Sequence, residues 1–135
     1  MAGDAGRVLV DTSAWIDALR SDGDPGVRAS VRAVTTEGKA VLCDMVLLEL
    51  WNGARGDAEA KVLVQLERDI EKVATTAEVW SAAMEMARAC RRRGVTVPAT
   101  DLLIAACAEE YGLSLLHRDS HLDLIAGSAA ENQSS

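Results

Sequence analysis

Four carboxylates break apolar surroundings at widely separated points of the chain: Asp11 in RVLVDTSAWIDAL, Glu49 in MVLLELWNGAR, Asp101 in PATDLLIAACAEE and Asp119 in LSLLHRD. Asp11 comes directly after the strand-like run Val8, Leu9, Val10, and Asp119 follows a second such run. Asp101 opens a stretch that is apolar on nearly every side of a helix, and Glu49 shares its helix face with Met45, Val46, Asn52 and Gly53. Each acid also has an ordinary structural use: Asp11 starting a turn, Asp101 complementing a helix dipole, Glu49 reaching solvent. As a set they pose a charge problem, because shielded carboxylates either pair with cations or take up protons, and few basic residues stand beside these four. A divalent cation resolves it. Several carboxylates around a hard ion, with positions left open for water, is the usual setting for Mg2+ or Mn2+. Such a centre activates water and stabilises charge developing on a phosphate.

The elements that would position these acids can be read from periodicity. Short apolar runs at Val8–Val10, Ala40–Cys43, 72–74 and 113–116 have strand length. Helical patterns lie between them. Asp24-Pro25 reads as an N-cap with proline at the first helical position, opening a helix with Val27, Val31 and Val34 on one face and ending near Gly38. Asp44 is expected to cap a second helix and Asp57 a third, in which Val62, Leu63, Leu66 and Ile70 recur at helical spacing. Thr76 precedes a long helix stopped by Gly94, with Val79, Ala83, Met86 and Cys90 as its core stripe and Trp80 packed inside. Thr100 is expected to cap DLLIAACAEEY, which Gly112 closes. Strands alternating with helices predict a three-layer α/β/α domain around a central, mostly parallel sheet of four or five strands. Ligands in such sheets bind beyond the carboxyl ends of the strands, near a switch point in strand order. Asp11 and Asp119 both fall at such ends, and they become neighbours if their strands are adjacent.

A length of 135 residues suits one domain spanning 1–135, with small, polar and loose ends over about 1–6 and 127–135. There is no long uncharged apolar stretch and no basic-then-apolar leader, so neither a membrane span nor a signal peptide is indicated and a cytoplasmic location is expected. Cys43, Cys90 and Cys107 are odd in number and far apart, and read as small core residues. The net charge of −7 counts against a binder with a strongly basic face. Arg91, Arg92 and Arg93 form the one dense basic cluster, for which a solvated helix end is the plainer account.

The stretches VDTSAWIDAL, LLELWNGAR and PATDLLIAACAEEYGLSLLHRD together resemble the PIN-domain nucleases, most closely the VapC-type ribonuclease toxins, from about Val8 to Ala126. The resemblance implies that Asp11, Glu49, Asp101 and Asp119 form an acidic cluster that binds Mg2+ or Mn2+ and is catalytic. It also implies that Ser13 orients a carboxylate or a water behind the ion. The implied reaction is hydrolysis of RNA phosphodiesters by metal-activated water, leaving a 5′-phosphate and a 3′-hydroxyl. No cysteine or serine with a base partner is apparent, which agrees with water as the nucleophile.

The chain departs from the family pattern at His117, where relatives often carry threonine or serine, and at Leu122, where phenylalanine is common. The first change bears on a hydrogen bond behind the ligands that the hydroxyl would make, and the second exchanges packing groups. Asp123 is expected on a short helix facing solvent. His117 and His121 straddle a strand-to-helix junction, which argues against a zinc pair.

Phosphate contacts need only be local, and Arg20, Arg91, Arg92, Arg93 and Arg118 are the candidates. Trp15 either borders the cleft and stacks on a base or packs in the core, and Trp51 poses the same choice. The resemblance further implies a homodimer or toxin–antitoxin hetero-oligomer, inhibited by a small antitoxin whose C-terminal segment crosses the cleft. A net charge of −7 fits a cationic inhibitor better than free RNA.

A haloacid-dehalogenase-type phosphatase needs a second aspartate where Ser13 stands, and a metal-dependent adhesion domain needs a serine where Trp15 stands. A PIN-fold nuclease processing RNA outside a toxin–antitoxin pair, and a catalytically silent RNA- or protein-binding relative, are the alternatives within the family.

Overall fold

The computed structural model describes residues 6–126, so the predicted loose ends fall outside the described residues except for Gly6. In chain order the elements are β1 (Val8–Val10), α1 (Thr12–Leu19), α2 (Pro25–Thr36), β2 (Ala40–Cys43), α3 (Asp44–Asn52), α4 (Gly56–Asp69), β3 (Glu71–Val73), α5 (Ala77–Arg92), α6 (Ala99–Glu110) and β4 (Ser114–Leu116). A last helix, α7, covers 120–126. The four strands form one sheet in the order β3-β2-β1-β4, every pairing parallel, with Leu9 opposite Val41 on one side and Leu115 on the other. All four residues of β2 are buried. Successive strand side chains leave on opposite faces, so helices cover both faces and the architecture is the predicted three-layer α/β/α.

This strand order places the switch point between β1 and β4. The chain leaves β1 toward β2 and β3, then returns through α5 and α6 to add β4 on the other side of β1. Asp11 and Asp119 follow those two adjacent strands and so stand at one end of the crevice. The core is built from Leu9, Val41, Leu42, Val46, Leu63 and Ile104, all nearly inaccessible. Among the described residues no helix is long and apolar enough to cross a membrane.

Several local expectations hold. Asp24 caps α2 by accepting from Val27 N at 2.9 Å, with Pro25 in the first turn. Thr76 caps α5 through Val79 N at 3.3 Å. Gly94 and Gly112 close α5 and α6 at φ +70° and +63°, a conformation costly for other residues.

Others need correction. Asp44 does not cap α3: β2 runs directly into the helix, Cys43 takes the capping position, and the Asp44 carboxylate pairs with Lys72 (3.0 Å) and Thr75 (3.0 Å) across the β3 end. Asp57 lies inside α4, whose start is satisfied when Glu59 accepts from Arg55 N at 2.9 Å. Thr100 lies within the first turn of α6, which begins one residue earlier behind Pro98, whose ring fixes φ. The third strand begins at Glu71 and the fourth at Ser114, each shifted by one residue. Trp80 is not inside: it is 50% exposed, because it sits one residue beyond Val79 and thus about 100° around the helix from the buried stripe. Val62 stays exposed beside buried Leu63 for the same reason.

Candidate metal centre

Asp11 sits where β1 ends and α1 begins. Its backbone N–H still donates to Leu116 O in β4 (2.9 Å), while its extended backbone (φ −69°, ψ 159°) makes it the N-cap of α1. The cap uses one carboxylate oxygen only. Asp11 Oδ2 accepts from Ser13 N (3.1 Å) and Ser13 Oγ (2.6 Å). Oδ1 is buried with no hydrogen-bond partner, on a residue that is 2% exposed. A buried anionic oxygen without a donor is costly unless something positive reaches it.

Ser13 Oγ also accepts from Arg118 N at 2.9 Å. One hydroxyl therefore fixes the Asp11 rotamer and ties the β1–α1 corner to the loop that carries Asp119. In that loop Asp119 N donates to His117 Nδ1 (3.2 Å), and Asp119 Oδ1 accepts from His121 N (2.8 Å) in the first turn of α7. His117, standing where relatives often carry a hydroxyl residue, therefore accepts a backbone hydrogen bond from the Asp119 loop. Glu49, half-buried on α3, accepts from Thr12 Oγ1 at 2.7 Å. Asp101 lies in the first turn of α6 and is buried, since α6 presents core residues on most of its sides.

The electrostatics agree with crowding. Burial pushes the Asp101 carboxyl up to about 6, and the nearby charges of Asp119, then Asp11, then Glu49 push the same way, with His121 opposing. Anionic groups from the β1 end, α3, α6 and the loop after β4 therefore act on one another. Two of the four predicted acids enter the tightest group: Asp101, Asp119 and His121 each offer a ligand atom within 4.8 Å of the others. Asp11 and Glu49 flank that group. Oxygen donors from Asp101 and Asp119, the orphaned Asp11 Oδ1, and a carboxyl held above its ordinary range all fit a divalent cation.

His121 and Thr12 are the residues that sequence reasoning missed. The signal for His121 was its place two residues after Asp119 at a helix start. The two histidines turn to different partners: His117 Nε2 lies 3.5 Å from Asp123, while His121 Nδ1 lies 3.2 Å from Asp119 and 3.6 Å from Asp101. Asp123 is exposed on α7.

The RNA-contact candidates divide. Trp15 is 3% exposed and packed in the core cluster that also holds Leu9 and Ala14, so it offers no face to a base. Trp51 is partly exposed and its indole N–H donates to Glu67. Arg118 holds Asp17 (3.1 and 3.3 Å), a nearly buried acid that also caps the Asp24 N–H, so its side chain fastens the loop to α1. Arg20 pairs with Glu59 at 3.5 Å, beside a small cavity that Glu49 also lines. Arg91, Arg92 and Arg93 are exposed where α5 turns toward the Asp101 end of α6, and Arg92 reaches Glu85 at 3.6 Å.

Comparison with known proteins places this arrangement. The PIN domain family model matches residues 8–128. Ribonuclease VapC11 of Mycobacterium tuberculosis is 32% identical over 122 residues, covering 88% of this chain and 91% of that protein. Ribonuclease VapC51 of the same organism is 32% identical over 123 residues, covering 89% and 85%. Among solved structures, FitAcB from Neisseria gonorrhoeae superposes with TM-score 0.73 at 21% identity, covering 90% of this chain and 93% of that one. VapC20 of M. tuberculosis, described as a sarcin-ricin loop cleaving toxin, gives 0.64 at 23% identity, covering 89% and 94%. With the family model matching residues 8–128 and VapC ribonucleases 32% identical over most of its length, the chain belongs to the PIN-domain family and within it to the VapC type.

Proposed function

We propose that this protein is a metal-dependent endoribonuclease, acting in the cytoplasm as the toxin of a toxin–antitoxin pair, with the whole chain working as one domain. The observation that carries the reading is the convergence of Asp101, Asp119 and the flanking Asp11 and Glu49 from four separate segments, in a chain with VapC ribonuclease relatives at 32% identity. Asp101 and Asp119 would hold Mg2+ or Mn2+, with Asp11 and Glu49 completing the negative lining. When bound, the cation supplies a water of lowered pKa and a positive charge for the scissile phosphate.

The protein's own groups do the positioning. Ser13 fixes Asp11 and Thr12 fixes Glu49, so neither carboxylate needs to reorganise when substrate arrives. The three cysteines are buried and offer no accessible nucleophile. Arg91, Arg92 and Arg93 are exposed and would offer positive charge to the phosphate backbone. An antitoxin segment with basic residues would complement the acids, in a homodimer or toxin–antitoxin hetero-oligomer. Brief expression in a bacterial host, followed by sequencing of RNA 5′ ends against an Asp101→Asn control, tests the nuclease. Identical end maps would overturn it. Growth arrest abolished by Asp11→Ala supports the toxin role, and harmless expression with metal-dependent cleavage replaces it with RNA processing.

A further inference from the structure

His121 is unaccounted for by an all-oxygen centre. Its backbone N–H donates to Asp119 Oδ1 (2.8 Å), which folds the side chain back over the carboxylate it has just bonded. The ring nitrogen Nδ1 then lies 3.2 Å from Asp119 Oδ1 and 3.6 Å from Asp101 Oδ2. The second separation is too long for a hydrogen bond. The first matches adjacent ligands of one ion, which stand roughly 3 Å apart when each bond is about 2.1 Å, and the second corresponds to a wider ligand–ion–ligand angle. Independent of this trio, Asp11 Oδ1 is a buried anionic oxygen without a partner, on a carboxylate close enough for its charge to act on Asp101. The imidazole is half-exposed, so this edge of the group faces the open side of the crevice.

We propose that His121 Nδ1 is a direct ligand of the metal centre, making it a mixed carboxylate–imidazole site that selects Mn2+ over Mg2+. The inference rests on the proposed centre at Asp101 and Asp119 and specifies its metal preference. Mg2+ holds to oxygen donors and sheds water reluctantly. A ring nitrogen in the ligand set disfavours Mg2+, which holds to oxygen, while Mn2+ is the transition ion that carboxylate oxygens also suit. Asp119 and His121, two residues apart, form a local clamp to which α6 contributes Asp101.

The test is Mn2+ binding by the full chain, read by EPR. The sequence has two histidines, so directly bound imidazole nitrogen has two possible sources. Pulsed EPR of the Mn2+-loaded protein is expected to show coupling to a ligated nitrogen, lost in His121→Gln and kept in His117→Gln. His121→Gln is expected to weaken Mn2+ by at least the roughly tenfold that removing a group behind a ligand costs. Mg2+, titrated by competition, changes by less than about threefold because it keeps oxygen and water ligands. His121→Asp, restoring an oxygen donor, narrows the gap between the two ions. Absence of nitrogen coupling in the parent protein, or its survival in His121→Gln, overturns the proposal. If Asp101→Asn abolishes Mn2+ binding while the parent shows only oxygen ligands, the centre stands and the role of His121 falls. If Asp101→Asn binds Mn2+ undiminished, the centre itself falls and the proposal with it.

Discussion

Replacing Asp101 with asparagine is expected to stabilise the metal-free protein at neutral pH while removing its activity. Burial, reinforced by Asp119 and Asp11, moves this carboxyl from 3.8 to about 6. At 1.36 kcal/mol per pH unit that difference corresponds to about 3 kcal/mol. Between those two values the folded chain holds a proton that the unfolded chain has released. Stability therefore falls as pH rises through that window, is fully retained below it and is lost above about pH 6. Asparagine removes the charge at nearly constant shape but adds donors that need partners, so the net gain is set at roughly 1–3 kcal/mol. For a chain of this length each kcal/mol moves Tm by about 4 °C. Thermal unfolding followed by circular dichroism in EDTA at pH 8 reads the gain, and the same scan at pH 4 or below is expected to show the two proteins converging. Saturating Mn2+, at about 100-fold over Kd, stabilises the parent by about 2.7 kcal/mol and leaves the variant unchanged. A variant no more stable than the parent at pH 8, or a gap that persists at low pH, would refute the argument that crowded carboxylates store this energy.

Ser13→Ala removes the hydroxyl that bridges Asp11 Oδ2 and Arg118 N; it is expected to cost roughly 1–2 kcal/mol in urea unfolding and about tenfold in Mn2+ affinity by titration. Arg118→Met leaves the buried carboxylate of Asp17 short of its cation; a loss of about 1–3 kcal/mol with weakened Mn2+ binding marks it as a fastener of the Asp119 loop, whereas unchanged metal affinity with weaker RNA binding marks a substrate contact. Trp15→Ala empties a core site and is expected to cost about 3–5 kcal/mol, while Trp80→Ala, half-exposed on α5, stays within about 0.5 kcal/mol in the same denaturation series.

The sequence by itself determined the alternation of strands and helices, and hence a parallel sheet covered on both faces, because apolar periodicity directly encodes which sides of an element avoid water. It also determined that Asp11, Glu49, Asp101 and Asp119 deserved one explanation, since a carboxylate in an apolar setting is conspicuous residue by residue. Helix starts were less legible. Asp44, Asp57 and Thr100 carry capping chemistry, yet Cys43, Arg55 and Pro98 occupy the capping positions, because where the chain turns is decided by how strand and helix meet. Trp80 and Val62 show the same limit one residue from a correct stripe. Only the tertiary structure decided that β4 lies beside β1, that His121 joins Asp101 and Asp119, and that Arg118 turns to Asp17. Short apolar strands are interchangeable as far as pattern goes, and contacts between residues a hundred positions apart depend on strand order, which hydrophobic spacing along the chain does not carry.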